Sequence, residues 1–295
     1  MDTDSSISVI IPTLNAADRI SGLVACLQNQ TIPPREILVV DSSSEDGTAE
    51  VARNLSGVIC KVIQRSAFNH GITRHEAFLD TTGEFTCFLT DDAVPANSRF
   101  LENLLAPMKD PEVALVSGRQ LPKAEARRFE QLVRGYNYPA SSNVRTKDDL
   151  SKCGVKTFFA SDVCAAYRRS AYLAVGGFER VNTNEDMLIA ARFINAGYKV
   201  AYAADAEVFH SHNLTPAQQY RRNKAIGIFL QEHAGDLADT GEVSEGVGLA
   251  RAVAKQLLKE GNVGELLAFG VECCARFVGN RVGRWEGRSR MNMEQ

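Results

Sequence analysis

The chain has 295 residues, about twice the ~150 residues of a typical domain, which fits one large domain or two joined ones. Its 33 Lys and Arg against 36 Asp and Glu give a net charge of −3, so no global basic charge points to nucleic acid. Hydrophobic residues at 44% and charged residues at 23% exclude disorder, collagen and a disulfide miniprotein, and a chain this long can bury a sizeable core.

Residues 7–11 form a short β-branched apolar run that predicts a buried strand, ended by Pro12. Helical spacing follows over 18–30, with Ile20, Leu23, Val24 and Leu27 on one face. A second buried strand is expected over 36–40, closed by Asp41 and three serines, then a short helix with Asp46 as N-cap. Residues 58–63 read as strand three, 71–79 as a third helix, and 85–89 as strand four, running into Thr90, Asp91 and Asp92. Strands alternating with helices, each strand apolar throughout, predict βαβ units and a mostly parallel sheet. Right-handed crossovers place the strand C-termini along one edge, where ligands bind in such sheets. Three polar clusters fall there: 12–15, 41–44 and 90–92.

The pattern loosens over 119–160 into loops around a short helix. Residues 163–167 read as a strand, Gly176 and Gly177 as a turn, 185–196 as a helix, and 199–203 and 207–210 as two final strands. Thr215 and Pro216 form an N-cap with Pro at the first helical position. Beyond them the chain is expected to be helical, broken near 235–248, Gly261 and Gly279.

Seven scattered cysteines (26, 60, 87, 153, 164, 273 and 274) form no Cys-x-x-Cys pair, which suits reduced intracellular thiols. The acidic, polar N-terminus is unlike a secretory signal, and no stretch approaches the ~18 uncharged apolar residues of a membrane span. These features predict a soluble or at most peripheral protein.

Neither the dinucleotide-binding Gly-x-Gly-x-x-Gly nor a P-loop is present. Acidic strand ends remain. Asp41 suits either a hydrogen bond to a nucleobase or ribose, or a cap on the following turn. Asp91 and Asp92 offer hard oxygen ligands for Mg²⁺ or Mn²⁺ on a diphosphate, or simply an acidic turn. Glu185 and Asp186 open a helix, where the macrodipole favours carboxylates whatever their function. His210 and His212 are close enough to bind a metal, although strand alternation alone puts both on one face.

In order and spacing these clusters resemble the inverting family 2 glycosyltransferases of the GT-A fold. The matching stretches are Val-Ile-Ile-Pro-Thr-Leu-Asn at 9–15, Ile-Leu-Val-Val-Asp-Ser-Ser-Ser-Glu-Asp-Gly-Thr at 37–48 and Phe-Leu-Thr-Asp-Asp at 88–92. Gly-Gly-Phe at 176–178 and Asn-Glu-Asp-Met-Leu at 184–188 complete them. A narrower resemblance, to bacterial rhamnosyltransferases of O-antigen and other surface polysaccharides, rests on Phe-Asn-His-Gly-Ile-Thr-Arg at 68–74 and Gly-Arg-Gln-Leu-Pro at 118–122. Tyr-Asn-Tyr-Pro at 136–139, Lys-Thr-Phe-Phe at 156–159, and the runs at 163–170 and 208–213 extend it.

The resemblance implies a Rossmann-like sheet with helices on both faces. It implies that Pro12, Thr13 and Asn15 line a nucleobase pocket, that Asp41 faces base and ribose, and that Arg74 approaches the nucleotide. Asp92 matches the metal-binding aspartate of the family's Asp-x-Asp. Thr90 stands at the first position of that motif, and Asp91 between them lies on the donor side without being a ligand. His210 lies where some relatives carry a further metal-coordinating histidine, with His212 as second choice. Asp186 matches the catalytic base, with Glu185 beside it as a structural or acceptor-side partner. Lys156, Arg119 and Gly177 are candidates on the sugar and acceptor side; Gln120, Asp162, Arg168 and Arg169 fall in the same region.

The implied reaction is Mg²⁺- or Mn²⁺-dependent transfer of L-rhamnose from dTDP-β-L-rhamnose to a growing, lipid-linked bacterial glycan. A same-fold transferase using a UDP-sugar is the alternative. A nucleotidyltransferase or a non-catalytic nucleotide-sugar-binding protein is the alternative of another class. The implied location is cytoplasmic, at most peripheral at the inner face of the cell membrane.

The division expected is a catalytic domain over 1–235 and a helical extension over 236–295. In the extension, Leu249, Val253 and Leu257 form one stripe, and 266–278 has a broad apolar face with Glu265, Glu272 and Arg276 as a thin polar seam. Arg281, Arg284, Arg288 and Arg290 follow, interleaved with Trp285. This pattern suits an anionic membrane surface, a second subunit of a homo-oligomer, or packing on the catalytic domain.

Overall fold

The computed structural model describes residues 7–237 and 242–294. In chain order the elements are β1 (Ile7–Thr13), α1 (Ile20–Gln28), β2 (Glu36–Asp41), α2 (Thr48–Arg53), β3 (Val58–Val62), α3 (His70–Leu79), β4 (Phe85–Leu89), β5 (Val94–Pro95) and α4 (Phe100–Leu105). There follow β6 (Val113–Leu121), α5 (Arg128–Asn137), β7 (Asn143–Arg145), α6 (Leu150–Cys153), β8 (Cys164–Arg168), α7 (Arg169–Ala174), α8 (Glu185–Asn195) and β9 (Lys199–Phe209). The C-terminal part is α9 (Pro216–Glu232), α10 (Ala234–Leu237), α11 (Glu242–Lys259) and α12 (Val263–Glu294).

One sheet has the order β3-β2-β1-β4-β8-β6-β9-β5, and β7 also pairs with β9. Strands β1, β2, β3, β4, β6 and β9 run one way, while β5, β7 and β8 run against them. The sheet is therefore mostly parallel, with helices on both faces, as the βαβ rhythm predicts. Alternation within each strand assigns the faces. Val9 and Ile11 pack with Ile20, Leu23 and Leu27 of α1, whereas Ile10 packs with Phe78 of α3 and Leu188 of α8. The four buried residues of α1 each contribute roughly 2 kcal/mol by burial.

Five expectations change, the first being that β1 does not end at Pro12 but carries it, paired with Val40, on to Thr13. The helix after β2 is capped by Gly47, in the left-handed region at φ 87°, and not by Asp46. The Asp46 carboxylate instead accepts from the Thr48 and Ala17 N–H groups, both at 3.0 Å, tying α2 to the loop after β1. The loosened region begins later than expected, because β6 runs to Leu121. The two final strands are one strand, β9, whose register against β6 shifts between Gly118 and Arg119. Gly118 faces Ala203 and Arg119 faces Glu207, so residues 204–206 bulge out, and a Cβ on Gly118 would meet the Ala206 carbonyl at 2.6 Å.

Finally, α12 is continuous through Gly279. There, a Cβ would approach the Tyr220 carbonyl to 2.5 Å, and at Gly283 the Lys224 carbonyl to 2.0 Å. These glycines let α9 and α12 touch backbone to backbone. Helices α11 and α12 also close on α5 through Phe129, Val133, Val253, Leu257 and Phe269. Arg127 pairs with Glu265 at 2.8 Å and Arg128 with Glu260 at 2.5 Å. Packing on the rest of the protein thus accounts for one side of the tail. The polar seam faces inward, with Glu272 buried, whereas Leu267, Val271, Phe277, Val278 and Trp285 face out. The seven cysteines are free. No helix among the described residues is long and apolar enough to cross a membrane.

Candidate active site

Parallel pairing of β1 with β2 and β4 brings the three polar clusters to one sheet edge. The loop after β1 is held by the loop after β2. Asn15, left-handed at φ 53°, donates its N–H to Ser44 Oγ at 2.8 Å and accepts the Glu45 N–H at 3.0 Å. Asp41 is buried, and its carboxylate accepts from Ser44 N–H at 3.0 Å and Thr13 Oγ1 at 3.4 Å. Asp41 therefore does cap its turn, and in doing so it joins Thr13 to that turn. Pro12 precedes them at the strand end, half-buried. Asp91 reaches the same loop, accepting from Leu14 N–H at 3.4 Å and pairing with Arg19 at 3.1 Å, while burial raises its pKa.

Asp92 faces a second group. The two-residue β5 runs antiparallel to the end of β9, so the Asp92 turn meets the chain just past Phe209. His210 Nε2 lies 3.5 Å and His212 Nε2 3.4 Å from its carboxylate oxygens, with Lys123 Nζ at 3.5 Å. One ligand atom from each of Asp92, His210 and His212 falls within 4.8 Å of the others. Both histidines join the aspartate, where the sequence ranked one above the other.

The hydrogen bonds of His210 test whether a cation fits. Its Nδ1 lies 2.9 Å from Gln120 Oε1, an oxygen that also accepts from the Arg134 guanidinium, while Gln120 Nε2 donates to Ser161 Oγ at 2.9 Å. An arginine only donates, so Oε1 is the acceptor and His210 must carry its proton on Nδ1. Nε2 then presents a lone pair toward the Asp92 carboxylate. Burial, with the Arg134 charge, pushes the His210 pKa down to about 3 despite Asp92, so the ring is neutral at physiological pH. Two facing lone-pair donors with a fixed tautomer match the donor set of a divalent cation.

A third group opens α8. The α3 segment approaches it closely: Asn69 caps α3 by accepting from Ile72 N–H at 3.1 Å, and a Cβ on Gly71 would meet the Glu179 carbonyl at 1.8 Å. Arg74 is thereby buried with its Nη1 3.1 Å from Glu185 and its Nε 3.6 Å from Asp162. His70 Nδ1 lies 3.7 Å from Glu185. Asp162 accepts from the Tyr167 hydroxyl at 2.6 Å and donates its own N–H to Asp186 at 3.2 Å. Met187 N–H donates to the other Asp186 oxygen at 2.7 Å. Burial opposes ionisation of Glu185, yet Arg74 and His70 outweigh it and lower its pKa to about 2. Burial and that Glu185 charge raise Asp186 to about 7. Adjacent carboxylates pushed apart in this way are an acid–base arrangement.

Comparison with known proteins decides the family. The model described as "Glycosyl transferase family 2" matches residues 8–176. The chain belongs to glycosyl transferase family 2. It is 38% identical over 286 residues to the O-antigen chain rhamnosyltransferase WbaN of Salmonella anatum, covering 95% of this chain and 90% of that one. It is 37% identical over 289 residues to the O-antigen chain rhamnosyltransferase RfbN of Salmonella typhimurium, with the same coverage. Among solved structures, a mannosyltransferase from Pyrobaculum calidifontis in complex with GDP-Man and Mn2+ superposes with TM-score 0.66. It shares 18% identity and covers 97% of this chain and 89% of that one. The S. aureus TarS structure with UDP-GlcNAc has TM-score 0.55 at 18% identity, covering 85% and 72%. These structures show the GT-A fold, and the family makes the chain a glycosyltransferase.

Within this family 2 chain, Arg74 pairs with Glu185 and Asp162. Arg119 pairs with Glu207 at 2.9 Å and donates to the Tyr138 carbonyl at 3.2 Å, bracing the bulged sheet. The Lys156 ammonium lies 5.2 Å from the Tyr136 ring centroid. Gly177, at φ 68°, leaves no room for a Cβ, which would lie 2.5 Å from the His75 ring and 2.7 Å from Tyr172; its turn is built around those rings. Arg168 and Arg169 hold backbone carbonyls of Val113, Met108, Asp110, Gly83 and Phe78. Sequence reasoning grouped Gln120 and Asp162 with these arginines. Their neighbours in the motifs, Arg119 and Val163, carried no sign that Gln120 orients His210 and that Asp162 holds Asp186.

Proposed function

We propose that this glycosyltransferase moves L-rhamnose, with inversion, from dTDP-β-L-rhamnose to a hydroxyl of a lipid-linked bacterial polysaccharide precursor. The observation that carries the mechanism is Asp186, a half-buried carboxylate raised to about 7, apart from the Asp92 group. Asp186 takes the proton of the acceptor hydroxyl as its oxygen bonds to the anomeric carbon, and the bond to the diphosphate breaks on the opposite face. The proton ends on Asp186, and the nucleoside diphosphate leaves as an anion, so no second acid is required. Glu185 stays ionised against Arg74 and keeps Asp186 basic near neutral pH. Asp92, His210 and His212 would hold Mg²⁺ or Mn²⁺, which supplies charge neutralisation on the diphosphate. Pro12, Thr13, Asn15, Asp41 and Asp91 line the nucleotide side.

The rhamnosyl donor and the O-antigen type of acceptor rest on the two Salmonella relatives. The outward face of α12 suits work at the inner membrane surface: Val263, Leu267, Val271, Phe277 and Val278 are exposed, with Arg281, Trp285 and Arg288 beyond them. Apolar, tryptophan and basic residues in that sequence match an anionic bilayer surface. A thermal-shift panel of nucleotide sugars with Mn²⁺ tests the donor. Stabilisation is expected from dTDP-rhamnose, and preferential stabilisation by UDP-sugars would overturn the rhamnose assignment.

A further inference from the structure

Beside the Asp92 group, a cleft of about 200 Å³ opens between α5, α9 and α12, with His212 at its rim. Each helix contributes one arginine: Arg134, Arg222 and Arg276. Arg134 is paired with Glu130 at 2.9 Å, and Arg276 with the buried Glu272. Arg222 makes no hydrogen bond or ion pair among the described residues. Arg222 is solvent-exposed at the mouth of the cleft, where partial desolvation and repulsion from Arg134 and Arg276 lower its pKa, with Tyr138 and Glu130 opposing. Both carboxylates are already engaged, so the three guanidinium groups leave the solvent-facing cleft with one positive charge in excess. A phosphate, with its several acceptor oxygens, is the ligand such a fork recognises. The remaining wall is aromatic, with Tyr138 and Phe159 at 5.7 Å between centroids, a surface for the C–H face of a sugar ring.

We propose that this cleft binds the phosphate of a glycosyl-phosphate acceptor, the head of the lipid-linked glycan. The proposal deepens the acceptor reading above and rests on it. The cleft shares His212 with the metal group on the donor side, so the dTDP titration below tells the two phosphates apart. The nucleotide loops lie at the ends of β1, β2 and β4, whereas the arginines of the cleft come from α5, α9 and α12. The cleft is linked to the base through Arg134: its guanidinium donates to Gln120, Gln120 donates to Ser161, and the next residue, Asp162, donates its N–H to Asp186. Arg276 belongs to the helix whose other face is apolar and exposed, so a lipid tail has a surface on which to leave.

The test is calorimetric titration of farnesyl diphosphate, with farnesol as the control, into the full chain saturated with dTDP and Mg²⁺. We expect farnesyl diphosphate to bind, farnesol to bind at least tenfold more weakly, and Arg222→Gln to weaken farnesyl diphosphate about tenfold. Affinity for dTDP should change less than twofold, and Arg222→Lys should recover part of the loss. Equal affinity of wild type and Arg222→Gln, or equal binding of farnesol, would overturn the proposal. Parallel loss of dTDP would overturn it too, assigning Arg222 to the donor. If dTDP itself does not bind, the donor reading fails, and titration into nucleotide-free protein still decides the role of Arg222.

Discussion

Asp186→Asn separates a catalytic carboxylate from a helix-capping one. Asparagine keeps the volume and can accept one of the two N–H groups now donated by Asp162 and Met187. It cannot take a proton from an acceptor hydroxyl. Loss of a general base lowers kcat by about 10²–10⁴-fold, or roughly 3–5 kcal/mol of transition-state stabilisation. Donor KM should stay within twofold, because the nucleotide loops are untouched. Stability should move the other way. Asp186 has its folded pKa raised to about 7 from 3.8, so between those values the folded state holds a proton that the unfolded chain has released. Wild-type stability therefore falls as pH rises from about 4 to 7, and the variant lacks this slope. The full shift corresponds to about 4 kcal/mol; halving it for charge shared with Glu185 and partial exposure leaves on the order of 2 kcal/mol. Loss of the carboxylate at the N-terminus of α8 takes back about 0.5–1 kcal/mol. Melting at pH 8 should then occur about 2–4 °C above wild type, with the gap closing toward pH 4. In wild type, kcat/KM should fall below pH 7 with an apparent pKa belonging to the cluster of Asp162, Glu185 and Asp186. Turnover within threefold of wild type, or a lower melting temperature at pH 8, would refute this reasoning.

His210→Ala should raise the Mn²⁺ concentration for half-maximal activity by about 10–100-fold while leaving metal-free dTDP binding unchanged; an unchanged metal requirement would remove His210 from the site. Gly283→Val should destabilise the chain by about 2–3 kcal/mol in urea unfolding, since its Cβ position lies 2.0 Å from the Lys224 backbone. Gly270→Ala, with nothing within 4 Å, should instead be neutral or stabilise by up to ~1 kcal/mol, which controls for helix propensity. Flotation with phosphatidylglycerol vesicles should recover the wild-type chain and lose Val271→Asp/Phe277→Asp, with α-helical content unchanged; equal partitioning would exclude the α12 face as a membrane contact.

Most of the fold was legible because each strand of the first half is a short apolar run closed by a polar cluster. Once the strands are parallel, those clusters must share an edge. What could not be read were relations set by register. The bulge opposite Gly118 appeared in the sequence only as a gap between two runs, at residues 204–206, yet it decides that Arg119 faces Glu207 and that His210 follows beside Leu121. Arg74 is legible as a residue of α3, but its ion pairs are not. Its buried partners, Glu185 and Asp162, lie 88 or more residues away, and no local pattern announces them.

The tail shows the same limit in a sharper form. A glycine in a helical pattern reads as a break, because it lowers helix propensity by about 1 kcal/mol. In α12 the glycines at 279, 283 and 287 recur every four residues, which keeps them on one face. That face meets α9, where Gly227 in turn has the Asn280 carbonyl 2.3 Å from its Cβ position. The period, not the residue type, was the signal. Read with it, the apolar stripe must fall on another side of the helix, away from α9. The inward polar seam then has its own reason: Glu272 accepts from Gln219 of α9 at 3.0 Å and pairs with Arg276, which extends to the cleft. One helix thus docks through glycine, carries an arginine to the cleft beside the metal ligands, and presents its apolar side outward. A substitution that displaces α12 should therefore disturb acceptor binding before donor binding. Gly283→Val, assayed for both, tests that order: equal loss of the two would mean that α12 supports the whole domain without selecting the acceptor.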